Sequence, residues 1–361
     1  MLVLAGDLDT AGAMLAELDL DGGPADSTIL LARGQLAYFR GDLEQARKVS
    51  ERARSLVTGG ELDRQVLDLV TLRGLVAHNR GEWYQQLRTE LRRTRDEPSL
   101  ATAIFDSHLC VAEYLLYGPT PYREVIELAA ALRETAARAG AMRAVAFATA
   151  LIGEAALLSD DLDLAERELR ESADLHREIG ALVGESHSLQ RLAELRLARG
   201  DRASASRLLN RALPLARWSN LAMHLMQRIY GTMIIAADGP REARAIVDRA
   251  WAALGADDIC FFCHVMLAVP SAIACADAGD LDDARFHLAA AERSAELWEG
   301  TSWQAAILEA RAHLARAEGD RGAQARLLAR AAELFADAGH PRDAARCRTP
   351  LATPPDTTGT G

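Results

Sequence analysis

Apolar residues recur along this chain at helical spacing, in blocks broken by short polar turns. The turns centre on Gly6-Asp7, Gly41-Asp42, Gly81-Glu82, Asp160-Asp161, Gly200-Asp201, Asp238-Gly239, Gly279-Asp280 and Gly319-Asp320, with a weaker one at Gly118-Pro119. Measured at Asp160, Gly200, Gly239, Gly279 and Gly319, the steps are 40, 39, 40 and 40 residues. Self-similarity at such a period signals stacked units rather than one closed core.

One unit shows the logic. Leu31, Leu36, Ala37 and Phe39 form an apolar stripe over Ile29–Arg40. Gly41 then closes the helix in a left-handed conformation that a Cβ would oppose. Asp42 caps the next helix through its carboxylate, with Gln45 three residues on to complete a capping box, and Leu43 and Ala46 start the second stripe. An alanine stands five positions after the turn residue at Ala11, Ala46, Ala165, Ala205, Ala243 and Ala284, where a small side chain lets two antiparallel helices approach closely. This grammar predicts helix hairpins near 26–57, 62–95, 99–139, 141–179, 181–217, 219–254, 258–298 and 301–338, preceded by a lone helix near 8–19 and closed by a short helix at 341–348. The expected organisation is one array over 1–348, with 349–361 a Thr-, Pro- and Gly-rich disordered tail. The lone first helix, lacking its partner, is expected either of a fragment of a longer protein or of a start placed too far downstream.

Composition agrees. Hydrophobic residues make up 49% and aromatics only 5%, so the core is built from Ala and Leu, which suits helix packing and not sheets. No stretch approaches the roughly 18 apolar residues of a membrane span, and the N-terminus has no basic flank of a leader, so a cytoplasmic location is expected. A net charge of −11 argues against direct nucleic-acid binding. The densest basic cluster, Arg88, Arg92, Arg93 and Arg95, is offset by Glu90, Asp96 and Glu97. Lys48 is the single lysine and lies in a helical pattern, which excludes a phosphate loop of the Gly-Lys-Ser/Thr type and the basic clamp that grips C-terminal carboxylates.

The punctuation Ala-Gly-Asp-Leu-x-x-Ala, as in Ala278-Gly-Asp-Leu-Asp-Asp-Ala284, resembles tetratricopeptide-type repeats with an extended period. The long units resemble the C-terminal helical arm of large bacterial ATP-binding regulators of the LuxR type. The run Ala331-Ala-Glu-Leu-Phe-Ala-Asp-Ala-Gly-His-Pro-Arg-Asp-Ala-Ala-Arg346 is similar to the segment that leads into their DNA-binding helices. The resemblance implies an all-α, right-handed solenoid of antiparallel hairpins. It also implies a sensor arm that binds a protein or small-molecule effector, with a partner ATPase or DNA-binding domain in cis or in trans. First helices of each pair would line the concave side of a curved rod.

On those first helices His108, Arg143, His187, Gln190, Arg191, His224, Gln227 and Arg228 sit outside or beside the apolar stripe, either to meet an effector or to face solvent. The sharpest chemical string is Cys260-Phe-Phe-Cys263-His264. It matches a c-type haem attachment motif, which needs export. Helical spacing also puts two thiols and an imidazole on one face as three zinc ligands, with Cys275, His287 or His224 as a fourth. Against both stands the reading of Cys260 and Cys263 as small core residues, or as a redox pair. Trp298 and Trp303 flank Gly300, either as an interface anchor or as filling between hairpins. No motif for a nucleophile, metalloprotease or phosphate loop is present, so no enzyme and no cofactor are expected.

Overall fold

A computed structural model describes residues 8–22, 25–56, 72–73, 76, 116–118, 120–138, 140–219, 221–254, 263–296 and 301–349. Among these residues there are helices and turns and no strand. No described helix is long and apolar enough to cross a membrane. The predicted hairpin near 62–95, the first half of that near 99–139, and the tail after Thr349 fall almost wholly outside the described residues.

The chain divides into two compact units. Unit 1 holds Met1–Val111 with Glu134–Ala144, and unit 2 holds Ala112–Arg133 with Val145–Gly361. In unit 1, α1 (Leu8–Ala16), α2 (Asp26–Phe39) and α3 (Leu43–Leu56) pack in sequence. Their core joins Leu30, Leu31, Ala37, Ala46 and Ala53 to Leu72 and Val76. Arg33 on α2 donates to the carbonyls of Leu15 and Leu18 (2.8 and 2.6 Å), closing the exposed end of α1. Asp42 accepts from the Gln45 amide at 3.0 Å, the cap its position predicts.

The next helices are α4 (Tyr122–Arg138), α5 (Met142–Leu158), α6 (Leu162–Glu178), α7 (Leu182–Ala198) and α8 (Arg202–Arg217). They are followed by α9 (Ala222–Ala236), α10 (Pro240–Leu254), α11 (Val265–Ala278) and α12 (Leu281–Ala295). The last are α13 (Ser302–Ala317), α14 (Arg321–Asp337) and α15 (Pro341–Arg348). Their bounds lie within a few residues of the sequence expectation except at α11, which begins at Val265 where the expected start near 258 lies outside the described residues, and α15 matches it. Gly41, Gly200, Gly279 and Gly319 take the left-handed conformation at their hairpin turns, and Asp160 takes the same one (φ 73°) at its turn, whereas Gly239 does not. Asp161, Asp201 and Asp320 each cap the following helix through a carboxylate oxygen. The alanines five positions past the turn, Ala165, Ala205, Ala243 and Ala284, are all buried.

Two layers result in unit 2. The odd-numbered helices α7, α9, α11 and α13 touch one another in succession, while α8, α10, α12 and α14 each back onto their own partner. The outer helices bury one stripe, as in Ala205, Leu209, Ala212 and Ala216 of α8, whereas the inner helices are buried nearly all round. Between α9 and α11 the backbones almost touch: a Cβ on Gly231 would lie 2.1 Å from the Met266 carbonyl oxygen. That carbonyl is the one Pro270, four residues on and without an N–H, leaves outside the helical ladder.

Arginines join neighbouring repeats at a separation of about one period. Arg133 meets Glu168, Arg196 meets Glu166, Arg244 meets Asp280, Arg285 meets Glu318, and Arg346 meets Glu309. A planar, forked and permanently charged group suits such bridges better than an ammonium, which gives a physical reason for a chain rich in Arg with one Lys.

Unit 2 departs from the curved rod expected of stacked hairpins. Its last helix returns to its first. Tyr122 Oη lies 2.5 Å from His340 Nε2, 218 residues away, and Arg342 donates to the Leu157 carbonyl at 2.9 Å while pairing with Asp160 at 2.8 Å. The superhelix of unit 2 therefore closes into a ring.

Candidate binding cavity

The inner helices line a cavity of about 1020 Å³, half-open to solvent, walled mainly by residues of α5, α7, α9, α11, α13 and α15 together with Tyr117, with Arg202, Ala243 and Phe335 added from outer helices. Its wall carries more buried charge than an ordinary core tolerates, and every such group needs a partner.

Behind the wall stands Glu154 on α5, only 1% exposed, which anchors the arginine that reaches the cavity from α7. From α7, His187 Nε2 approaches one carboxylate oxygen at 3.0 Å and Arg191 Nε donates to the other at 2.8 Å. Burial alone would raise the Glu154 carboxyl. The charges of His187 and Arg191, with that of Arg228 on α9, outweigh it and hold the group well below the usual carboxylate range. Arg191 Nη1 also donates to Glu194 (2.8 Å) and to the Tyr117 hydroxyl (3.2 Å). Gln190 Nε2 donates to Glu194 Oε1 (2.6 Å) and to Thr232 Oγ1 (2.8 Å), carrying the network to α9. On the opposite arc Asp277 receives His313 Nδ1 at 2.7 Å and Arg316 at 2.6 Å. Glu309 receives both Nε and Nη2 of Arg346 at 2.7 Å. His340 Nδ1 lies 3.1 Å from Asp343. Burial would raise Asp343 too, but the His340 hydrogen bond and the Arg346 charge bring it down to about 2.

Along the wall five guanidinium groups (Arg191, Arg202, Arg228, Arg342, Arg346) face five carboxylates (Glu194, Asp238, Asp277, Glu309, Asp343). This balance gives no net field to collect a polyanion or polycation. Ile234, Met266, Val269, Pro270 and Ile273 supply an apolar side. Trp303 packs on Tyr117 with ring centroids 5.1 Å apart, while Trp298 lies outside the described residues.

The residues singled out by sequence separate into groups. Gln190, Arg191 and Arg228 line the cavity and are buried. His187 lies in the same network, holding Glu154. Gln227 turns to His264 (Oε1 to Nδ1, 3.2 Å) and His224 to Cys263 (Nδ1 to Sγ, 3.5 Å). Arg143 is exposed and belongs to unit 1, and His108 lies outside the described residues. Sequence reasoning passed over Tyr117, Glu154, Glu194, Thr232, Asp277, Glu309, His313, His340, Arg342, Asp343 and Arg346. Several of these are half of a pair one repeat apart, a spacing that is readable once the period is known.

The Cys260 string resolves only in part. Cys260 lies outside the described residues. Cys263 is a buried thiol in no disulfide, and His264 stacks edge-on against Trp251. Among the described residues no group of three His, Cys, Asp or Glu side chains is placed to hold a metal ion. Cys275 is buried on α11, and burial pushes its thiol up to about 12. His287 sits on α12 against Trp251, and burial together with the Arg244 charge lowers its imidazole to about 4.

No family model and no curated protein matches the chain by sequence. Solved structures do match by fold. The crystal structure of a Rap protein complexed with competence and sporulation factor superposes with a TM-score of 0.53 at 14% identity, over 89% of this chain and 95% of that one. The APC/C hetero-tetramer Cut9–Hcn1 aligns over 96% of this chain and 79% of that one, at 15% identity and a TM-score of 0.38. The first likeness is one of architecture, and with the helix order above it makes the chain an all-α solenoid of tetratricopeptide-like hairpins.

Proposed function

We propose that this chain is a non-catalytic binding module whose inner cavity takes a small effector or a short peptide segment, and that it serves as the regulatory arm of a bacterial transcription-control system. The observation that carries the reading is the cavity wall: buried, mutually paired charges on inner helices, facing an apolar side, inside a closed ring. A volume of about 1020 Å³ lies at the upper end of small-ligand sites, and a folded domain does not fit within it. The balanced wall charge favours a ligand with both polar and apolar parts. The Rap structure, whose chain is held in complex with competence and sporulation factor, offers a precedent for ligand binding on this architecture. The regulatory role rests on the resemblance of the repeat punctuation to LuxR-type arms.

The test is thermal melting of the purified chain with the low-molecular-weight fraction of a bacterial extract. A ligand at about a hundred times its dissociation constant raises the melting temperature by roughly 5 °C. Arg228→Glu, folded by circular dichroism, abolishes that rise. A rise that persists in Arg228→Glu, or one given only by macromolecular fractions, contradicts the proposal.

A further inference from the structure

We propose that α15 is a detachable clasp: docked, it completes one side of the half-open inner cavity of unit 2, and released, it widens that opening. The inference concerns access to the cavity and leans on the binding reading only for what would enter.

The clasp forms part of the wall it closes. His340, Arg342, Asp343 and Arg346 all face the cavity, so undocking α15 removes one side of it. What holds it is mostly polar. Of its eight residues only the small Ala344 and Cys347 are buried, whereas α14 buries Leu328, Ala331, Ala332 and Phe335. With so little apolar area covered, docking depends on hydrogen bonds and ion pairs, whose net worth against water is modest. A helix this short is also marginal alone, so it holds its shape only while docked, and docking and folding of α15 are one event.

Those bonds are directional. His340 bridges the two elements, with Nδ1 3.1 Å from the Asp343 carboxylate and Nε2 2.5 Å from the Tyr122 hydroxyl. Arg342 reads the end of α5 through the Leu157 carbonyl and Asp160. Gly339 (φ 77°) forms the joint, its Cα side directed at the Tyr122 ring, where an added Cβ would sit 3.4 Å away. The clasp thus has a hinge, a helix and a catch on a distant element.

The chain carries its own reporter. Cys347 on α15 is 4% exposed, and burial pushes its thiol up to about 12, so it is nearly inert while docked. Cys275 in the middle of α11 is fully buried and answers only to opening of the inner wall itself. Time-resolved alkylation of the full chain with N-ethylmaleimide, read peptide by peptide in a mass spectrometer, separates the two. We expect Cys347 to react at least about tenfold faster than Cys275, as local opening outpaces global unfolding. Tyr122→Phe should raise the Cys347 rate about fivefold and leave Cys275 unchanged. Should Tyr122→Phe loosen the whole unit and raise both rates, Arg342→Ala carries the test, since its side chain is 33% exposed and its loss leaves no buried cavity. Equal rates for the two thiols in the natural chain, or a Cys347 rate unmoved by Arg342→Ala, would overturn the clasp. Because no ligand is added, that failure leaves the binding reading standing, and a failed ligand search leaves the labelling contrast standing.

Discussion

Helices α7 and α8 are neighbours of nearly equal length, and they solve opposite problems. α8 buries four residues on one stripe, Ala205, Leu209, Ala212 and Ala216, and leaves the rest to solvent. α7 buries Ser186 through Ala193 without a break, including His187, Gln190 and Arg191. An outer helix meets its partner and, less extensively, the next inner helix, both on one side, so small apolar residues at helical spacing are enough. An inner helix is covered from several directions, and its polar groups persist only because each finds a partner across a helix boundary. Stability in the outer layer is a matter of packing; in the inner layer it is also a matter of charge pairing.

The largest expected effect lies in the inner layer. Arg191→Met strands the buried Glu154 carboxylate and should destabilise unit 2 by about 4 kcal/mol in urea unfolding. Adding Glu154→Gln should recover most of that loss. If Arg191→Met costs no more than an exposed substitution, the inner network is not paired as described.

Next comes the close contact between inner helices. Gly231→Ala pushes a methyl group into the Met266 carbonyl, a backbone atom that cannot step aside, and should cost about 3 kcal/mol by the same measurement. A glycine on an exposed outer position, Gly322, should tolerate alanine and even gain from it, because the nearest atoms there are flexible side-chain ends at 3.3 and 3.4 Å.

His287 sharpens the comparison, being a buried imidazole on an outer helix. Its folded value of about 4 lies below the ordinary 6.5, so between those values the unfolded chain binds more protons. Stability is therefore full above about pH 6.5 and falls as the pH drops toward 4, by on the order of 3 kcal/mol. A His287→Phe variant should flatten that part of the urea-midpoint profile. An unchanged slope would remove His287 from the account.

The smallest effect belongs to the outer turns. Asp320→Ala removes the carboxylate that accepts from the Ala323 amide at 2.8 Å, and should cost about 1 kcal/mol.

Much of this architecture was legible beforehand. Turn residues at a nearly constant period mark the hairpins, the alanine five positions on marks the close contact in most of them, and the closing helix expected at 341–348 is α15. These signals are local, and backbone geometry imposes them on every repeat. The ring was not legible, because Tyr122 and His340 obey no period and nothing near either residue betrays the other. The inner network was half legible. Gln190, Arg191 and Arg228 were picked out as polar residues on first helices, yet sequence alone could not tell a paired buried arginine from a solvated one. Glu154 escaped for the same reason, as a lone acid in an otherwise apolar helix.

Closure of unit 2 is the claim on which the cavity depends, and a double-mutant cycle between Tyr122 and His340 tests it most directly. Tyr122→Phe, His340→Leu and the pair are compared by urea unfolding. The account predicts a coupling of about 1 kcal/mol across 218 residues of sequence, carried by the bond between the hydroxyl and the imidazole. Effects that add to within about 0.3 kcal/mol would mean the two ends do not meet in solution, and the cavity would have no closed wall.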